Sequence, residues 1–151
     1  MKRTLLLRRF GVVAVMVVAG LAGSAAQDNG IVIQVLDGKN GKPIANEHLV
    51  IFTAASAEEI KQHKNHLEAR TDAKGIATLA LDTRASSQIQ VWVDWHVLCQ
   101  EGPNSNSYSV EDILKGGLTT PNNCGTVEQP VAPNHFVVFA RSERLREKMR
   151  H

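Results

Sequence analysis

Ile89-Gln90-Val91-Trp92-Val93-Asp94-Trp95-His96-Val97-Leu98-Cys99 places an apolar residue at every second position. Ile89, Val91, Val93, Trp95, Val97 and Cys99 fall on one face of an extended chain, and Gln90, Trp92, Asp94, His96 and Leu98 on the other. A period of two over this length marks a half-buried β-strand, because successive side chains point to opposite faces. The reading puts Trp95 in the core near Cys99. It turns Trp92, Asp94 and His96 to the polar side, where they are the candidate ligand-facing residues. An open Trp92 would be an aromatic platform of the kind sugar-binding modules use. The favoured reading has the long following segment fold over it, since large exposed apolar patches are uncommon on small domains.

Upstream, Ile31–Leu36 (Ile-Val-Ile-Gln-Val-Leu) is rich in β-branched residues and predicts a first strand. Asp37-Gly38, Asn40-Gly41 and Pro43 supply turn chemistry before a second strand over His48–Thr53. Ser56 with Glu59 three residues on is a capping-box signature, and predicts a short helix to about His63 or Lys64. Leu67–Thr71 is extended, Thr71–Gly75 is a turn, and Ile76–Leu81 is a strand with Ala77, Leu79 and Leu81 on one face. Downstream, the segment 100–134 is dense in Asn, Ser, Gly and Pro. It holds one helix signature, with Ser109 as cap, Glu111 and Asp112 at the start and Gly116 at the exit. His135–Ala140 is the last strand. Strands separated by turns, without helix–strand alternation, predict a mainly β, antiparallel, Ig/prealbumin-like sandwich of about seven strands. One or two short helices are inserted, and the chain ends in a helical tail.

The first residues read differently. Lys2, Arg3, Arg8 and Arg9 precede an uncharged apolar run from Phe10 to about Leu21, which closes on Ala22, Gly23, Ser24, Ala25 and Ala26. Basic, apolar, small is the layout of a secretory signal peptide, and cleavage is expected after Ala26. The run is shorter than the roughly 20 apolar residues a spanning helix needs, so no stable membrane span is expected after cleavage. The chain has 17 Lys+Arg against 15 Asp+Glu, and four of those bases lie in residues 1–26. The remainder carries 13 against 15, a formal charge of −2, which removes the charge argument for nucleic-acid binding. Residues 27–141 form the expected domain and 142–151 a basic tail, with Arg144, Arg146, Lys148 and Arg150. That tail could touch an anionic surface; a solvated helix is the favoured reading. The expected location is periplasmic or secreted, and the expected partner an unknown protein or envelope component.

Cys99 and Cys124 are the two cysteines of the chain. In an oxidising compartment they are expected to pair and staple the segment 100–134. Closing such a loop is worth about 3–4 kcal/mol on the chain-entropy model.

Two stretches carry a family likeness. Val35-Leu36-Asp37 leads through Gly41-Lys42-Pro43-Ile44 to Val50, and Thr71-Asp72-Ala73-Lys74-Gly75-Ile76-Ala77 follows. The chain resembles the carboxypeptidase regulatory-like domain family over roughly residues 30–100. That family's motif runs Gly-x-Pro-Leu-x-Gly-Ala, and Asn46-Glu47 stand here in place of its Gly-Ala. The resemblance implies a transthyretin-type sandwich and an accessory or binding role. Enzymes on related sandwiches need signatures that differ from this chain: the Tyr-Arg-Gly-Ser ending of hydroxyisourate hydrolases is replaced by Glu-Lys-Met-Arg-His, and the two tyrosines of intradiol dioxygenases meet a single Tyr108.

Histidines supply the remaining candidates. Glu59, His63 and His66 could share a helix face and hold a zinc or copper ion, whereas the plainer reading is a polar helix face in water. Asp94, His96 and His135 could form a hydrolytic site. The function expected is therefore an exported, non-catalytic binding or structural module without cofactor. The alternative is a metal-dependent or hydrolytic enzyme, in which three of His48, His63, His66, His96 and His135 must meet in one cleft. The segment 101–134 is the first expected recognition surface.

Overall fold

The computed structural model describes residues 30–100 and 106–143. Its strands are β1 (Gly30–Asp37), β2 (His48–Ala54), β3 (His66–Arg70), β4 (Ile76–Ala80), β5 (Gln88–Val93), β6 (His96–Leu98), β7 (Tyr108–Ser109), β8 (Leu118–Thr119) and β9 (His135–Ser142). Two helices interrupt them, α1 (Ala57–Ile60) and α2 (Val110–Gly116). The leader expected over 1–26 and the tail from residue 144 lie outside the described residues. Ser142, read as the start of a helix, is instead the last residue of β9.

The strands form two sheets. The first runs β4-β1-β9-β6, with β8 also on β9; the second runs β3-β2-β5-β7. Pairing is antiparallel except where β9 meets β1 and β8. The alternating apolar residues of both sheets point at each other. Ile31, Ile33, Val35, Leu49, Ile51, Ile89, Phe136 and Val138 are all buried in this layer, and Val110 and Ile113 of α2 close it. Removing each such side chain from water is worth about 1.5–3 kcal/mol. The mainly β, two-sheet, sandwich-like expectation holds, but the count of about seven does not: nine strands are present among the described residues. Two of the nine, β7 and β8, are two-residue pieces of the stapled segment.

Another strand arises where a single one was expected. Ile89–Cys99 is not one strand. It breaks at Asp94-Trp95 into β5 in the second sheet and β6 in the first. Ile89 and Val91 face the core as expected, but Trp95 is 63% exposed at the break. A period of two is satisfied equally on both sides of such a corner. It reports alternation, not which sheet the chain belongs to.

The segment after β6 is a lid. Cys99 and Cys124 are joined in a disulfide. Together with Val127 and Val131, they cover Leu36, Val137 and Phe139 on the outer face of the first sheet. The bond sits directly on the β1 turn, where a Cβ on Gly38 would come within 2.7 Å of Cys99 Sγ and 2.9 Å of Cys124 Cβ. Ser109 caps α2 as read, its side chain accepting from the Asp112 N–H. The exit residue is Gly117 rather than Gly116, because it is Gly117 that takes a positive φ of 76°. Among the described residues no helix is long and apolar enough to cross a membrane.

Candidate functional site on the outer face of the second sheet

Strand register builds this face. Val50 of β2 lies between Glu68 of β3 and Trp92 of β5, and Phe52 lies between His66 and Gln90. His48 lies opposite Arg70, and on the β5 side its carbonyl accepts the Asp94 N–H. Even-numbered residues of β2, β3 and β5 thus share one surface, opposite the core.

One end of the surface is roofed. Ser56 Oγ accepts the Glu59 N–H, and Glu59 Oε2 accepts the Ala55 N–H, so the capping reciprocity read from the sequence is present. The helix it starts is a single turn. It ends at Ile60, which packs on Phe52 and Ala54, and not at His63 or Lys64. His63 then adopts φ 50°, a left-handed conformation that costs a side-chain-bearing residue energy. The turn carries its imidazole onto Phe52 and Trp92, with centroids 4.6 and 4.8 Å away. His63 Nε2 donates to Gln90 Oε1 at 3.1 Å. Trp92 is therefore covered, as expected, and His63 and Phe52 both pack against it.

The single helix face expected for Glu59, His63 and His66 does not form. Glu59 caps α1, His63 lies past its end, and His66 begins β3. His63 and His66 do flank one ring, Phe52, at 4.6 and 6.0 Å. Among the described residues no group of three or more His, Cys, Asp or Glu is arranged to hold a metal ion.

The other end of the surface is open and titratable. His48 Nδ1 donates to Asp94 Oδ2 at 2.5 Å, its Nε2 lies 3.4 Å from Glu68 Oε2, and Glu68 Oε1 lies 3.9 Å from His66 Nε2. The hydrogen bond to Asp94 raises the His48 pKa above its ordinary value; burial opposes this, and the charges of Asp94 and Glu68 reinforce it. Trp95 stands beside this chain on the corner.

A residue that the sequence reading did not single out fixes that corner. Glu47, at the entrance to β2, is only 2% exposed. Its carboxylate accepts the Trp95 N–H at 2.8 Å and His96 Nδ1–H at 2.7 Å. The Glu47 N–H donates to Thr71 Oγ1, which donates to the Ile44 carbonyl. The carboxylate thus ties the start of β2 to the crossing between the sheets.

The hydrolytic trio is not assembled. Asp94 faces His48, His96 faces Glu47, and His135 starts β9, whose opposite end pairs with His96. Nor do three histidines share one cleft: His48 and His66 meet through Glu68, His63 and His66 through Phe52, while His135 Nδ1 turns to the Pro133 carbonyl. Of the candidate ligand-facing residues, Asp94 is exposed, Trp92 is covered and His96 lies on the far side of the corner. The exposed indole is Trp95. No family model, curated protein or solved structure matches the chain.

Proposed function

We propose that this protein is an exported, non-catalytic β-sandwich module that binds a protein or other component of the cell envelope. Recognition centres on the corner formed by Trp95, Asp94, His48 and Glu68. One observation carries the reading: the largest apolar side chain type is held 63% exposed on a corner pinned by a buried carboxylate. A flexible exposed side chain loses entropy when it binds, whereas an indole on a fixed backbone has less to lose. Aromatic anchors flanked by polar groups are the common centre of binding surfaces. The segment 101–134 is the weaker candidate, because Val127, Val131 and the disulfide are occupied in covering the first sheet.

Export is supported by the basic–apolar–small leader and by the closed Cys99–Cys124 bond. The turn motif shared with carboxypeptidase regulatory-like domains is consistent with the conformation of Asn46. Asn46 stands at the motif's second glycine and takes φ 59°, a conformation open to Gly and, among other residues, favoured by Asn.

Two measurements test the proposal. A photo-crosslinking residue in place of Trp95 should capture a discrete envelope component that the same residue in place of Thr78, exposed on β4, does not. Identical adducts from both positions, or none from either, would sink the recognition surface. Intact mass from the native envelope should begin at Gln27 and be two hydrogens light; a full-length, reduced chain would sink export.

A further inference from the structure

We infer that two copies of this chain join edge to edge along β3, in an antiparallel register that sets Glu68 of each copy against Arg70 of the other. The contact does not depend on the recognition surface; only its consequence, that two corners are presented together, rests on the proposed function.

The edge is open in its backbone. β3 ends the second sheet, and β2 is its one strand partner among the described residues. The Thr53 N–H donates to the Asn65 carbonyl and the Thr71 N–H to the Glu47 carbonyl, and both pairs continue the β2–β3 register. Hydrogen-bonded pairs recur at every second residue of an antiparallel ladder. Residues 65, 67, 69 and 71 therefore bond to β2, and the N–H and C=O groups of His66, Glu68 and Arg70 point outward. Such a row is a template for another strand.

The edge is also open in its packing. Leu67 lies opposite Ile51 on the core side of the sheet, yet it is 42% exposed while Ile51 is fully buried. On β4, the other five-residue edge, the core-side residues Ala77 and Leu79 are both buried. Strands β6, β7 and β8 offer three, two and two residues, too few for a ladder of this kind.

Charge selects a second copy and its register. Outward groups can meet only as even-numbered pairs. Centring on Glu68 sets that carboxylate against its own copy and His66 against Arg70. Centring on Leu67 sets Glu68 against His66, but also Lys64 against Arg70. Centring on Ala69 gives the Glu68–Arg70 pair twice. Ala69 then meets itself at a non-hydrogen-bonded site, where Cα atoms come within about 4.5 Å and a small side chain fits. Leu67 becomes the diagonal neighbour of Ala69 in the other copy, within reach of a long side chain.

Both charged groups can serve. The Glu68 side chain is 61% exposed, and its oxygens lie 3.4 Å from His48 Nε2 and 3.9 Å from His66 Nε2. Arg70 is exposed and commits Nη1 to Asn46, which leaves Nε and Nη2 for a carboxylate. A two-fold axis normal to the sheet relates the copies. The two four-stranded sheets become one continuous sheet, and both open corners face the same side.

Sedimentation velocity of the exported chain tests this. One short edge is a small interface, so a dissociation constant on the order of 100 µM is expected. Glu68→Arg alone and Arg70→Glu alone each set two like-charge pairs across the seam, and each should weaken association about tenfold. An equimolar mixture of the two variants should dimerise again, because every Arg then faces a Glu. The chain carrying both exchanges should do so by itself. Thr78→Arg, on the β4 edge, should leave the dimer unchanged. An unaltered chain that stays monomeric at about 1 mM overturns the inference, since that is ten times the expected constant. Dimers that persist in both single variants overturn it, as does a mixture no more associated than its components. Should either exchange unfold the chain, Glu68→Gln and Arg70→Gln replace them, each expected to weaken association about threefold; no change in either overturns the inference.

Discussion

The two outer faces of this sandwich are finished in opposite ways. On the first sheet, Leu36, Val137 and Phe139 lie under Val127, Val131 and a disulfide. On the second, a one-turn helix and His63 roof one end, and the other end is left to His48, Glu68, Asp94 and Trp95. A small domain buries a limited fraction of its surface and needs reinforcement. Here the reinforcement is concentrated on one face. What the difference teaches is where to look for each kind of consequence: stability on the stapled face, solution chemistry on the open one.

The sharpest way to break that comparison is at its buried extremes. Phe139→Ala should cost about 3–5 kcal/mol in urea unfolding, the usual price of emptying an aromatic core site. Phe139 is 2% exposed. Cys99→Ser with Cys124→Ser should cost about 3–4 kcal/mol, read as a lower thermal midpoint that reductant no longer shifts. Glu47→Ala should cost about 3 kcal/mol, because it strands the Trp95 N–H and the His96 imidazole at the corner. A loss well under 1 kcal/mol would mean that the corner holds without its carboxylate.

The open face should respond more weakly and with pH. The His48 pKa is raised in the folded chain, so the stabilisation from its pairing is fully present below the unfolded value, near 6.5. It is lost as pH rises through the higher folded value. The stability difference between the native chain and Asp94→Asn should therefore shrink from pH 5.5 to pH 8.5; a difference that grows would reverse the assignment. Smallest of all, Trp95→Ala should change stability by within about 0.5 kcal/mol, as surface substitutions do. A cost like that of Phe139→Ala would show Trp95 to be part of the core after all, and would erase the contrast between the faces.

Particular elements show what could be read in advance. β1, β2, β4 and β9 begin and end within two residues of their sequence readings, because β-branched runs bounded by Asn, Asp, Gly and Pro leave few alternatives. The caps Ser56 and Ser109 were equally legible, since a cap acts over three residues of chain. The candidate site was less so. Asp94 was named, but its partner His48 lies 46 residues away, and Glu47 finds His96 over a separation of 49. Trp92 is covered as read, but Trp95 left its expected place in the core, because alternation cannot show where a strand leaves its sheet.

Local chemistry, then, was determined by the sequence alone: strands, turns, caps, a β-rich class, and a disulfide between its two cysteines. The strands, turns and caps depend on neighbours a few residues apart, whose contact the backbone makes unavoidable; the disulfide joins residues 25 apart and was legible because the chain has two cysteines to pair. Only the tertiary structure decided which tryptophan is exposed, which carboxylate is buried and which face is sealed. Each of those depends on where the chain crosses between sheets. That crossing is held by hydrogen bonds that the Glu47 carboxylate accepts from groups nearly fifty residues away, a closure that no local pattern encodes.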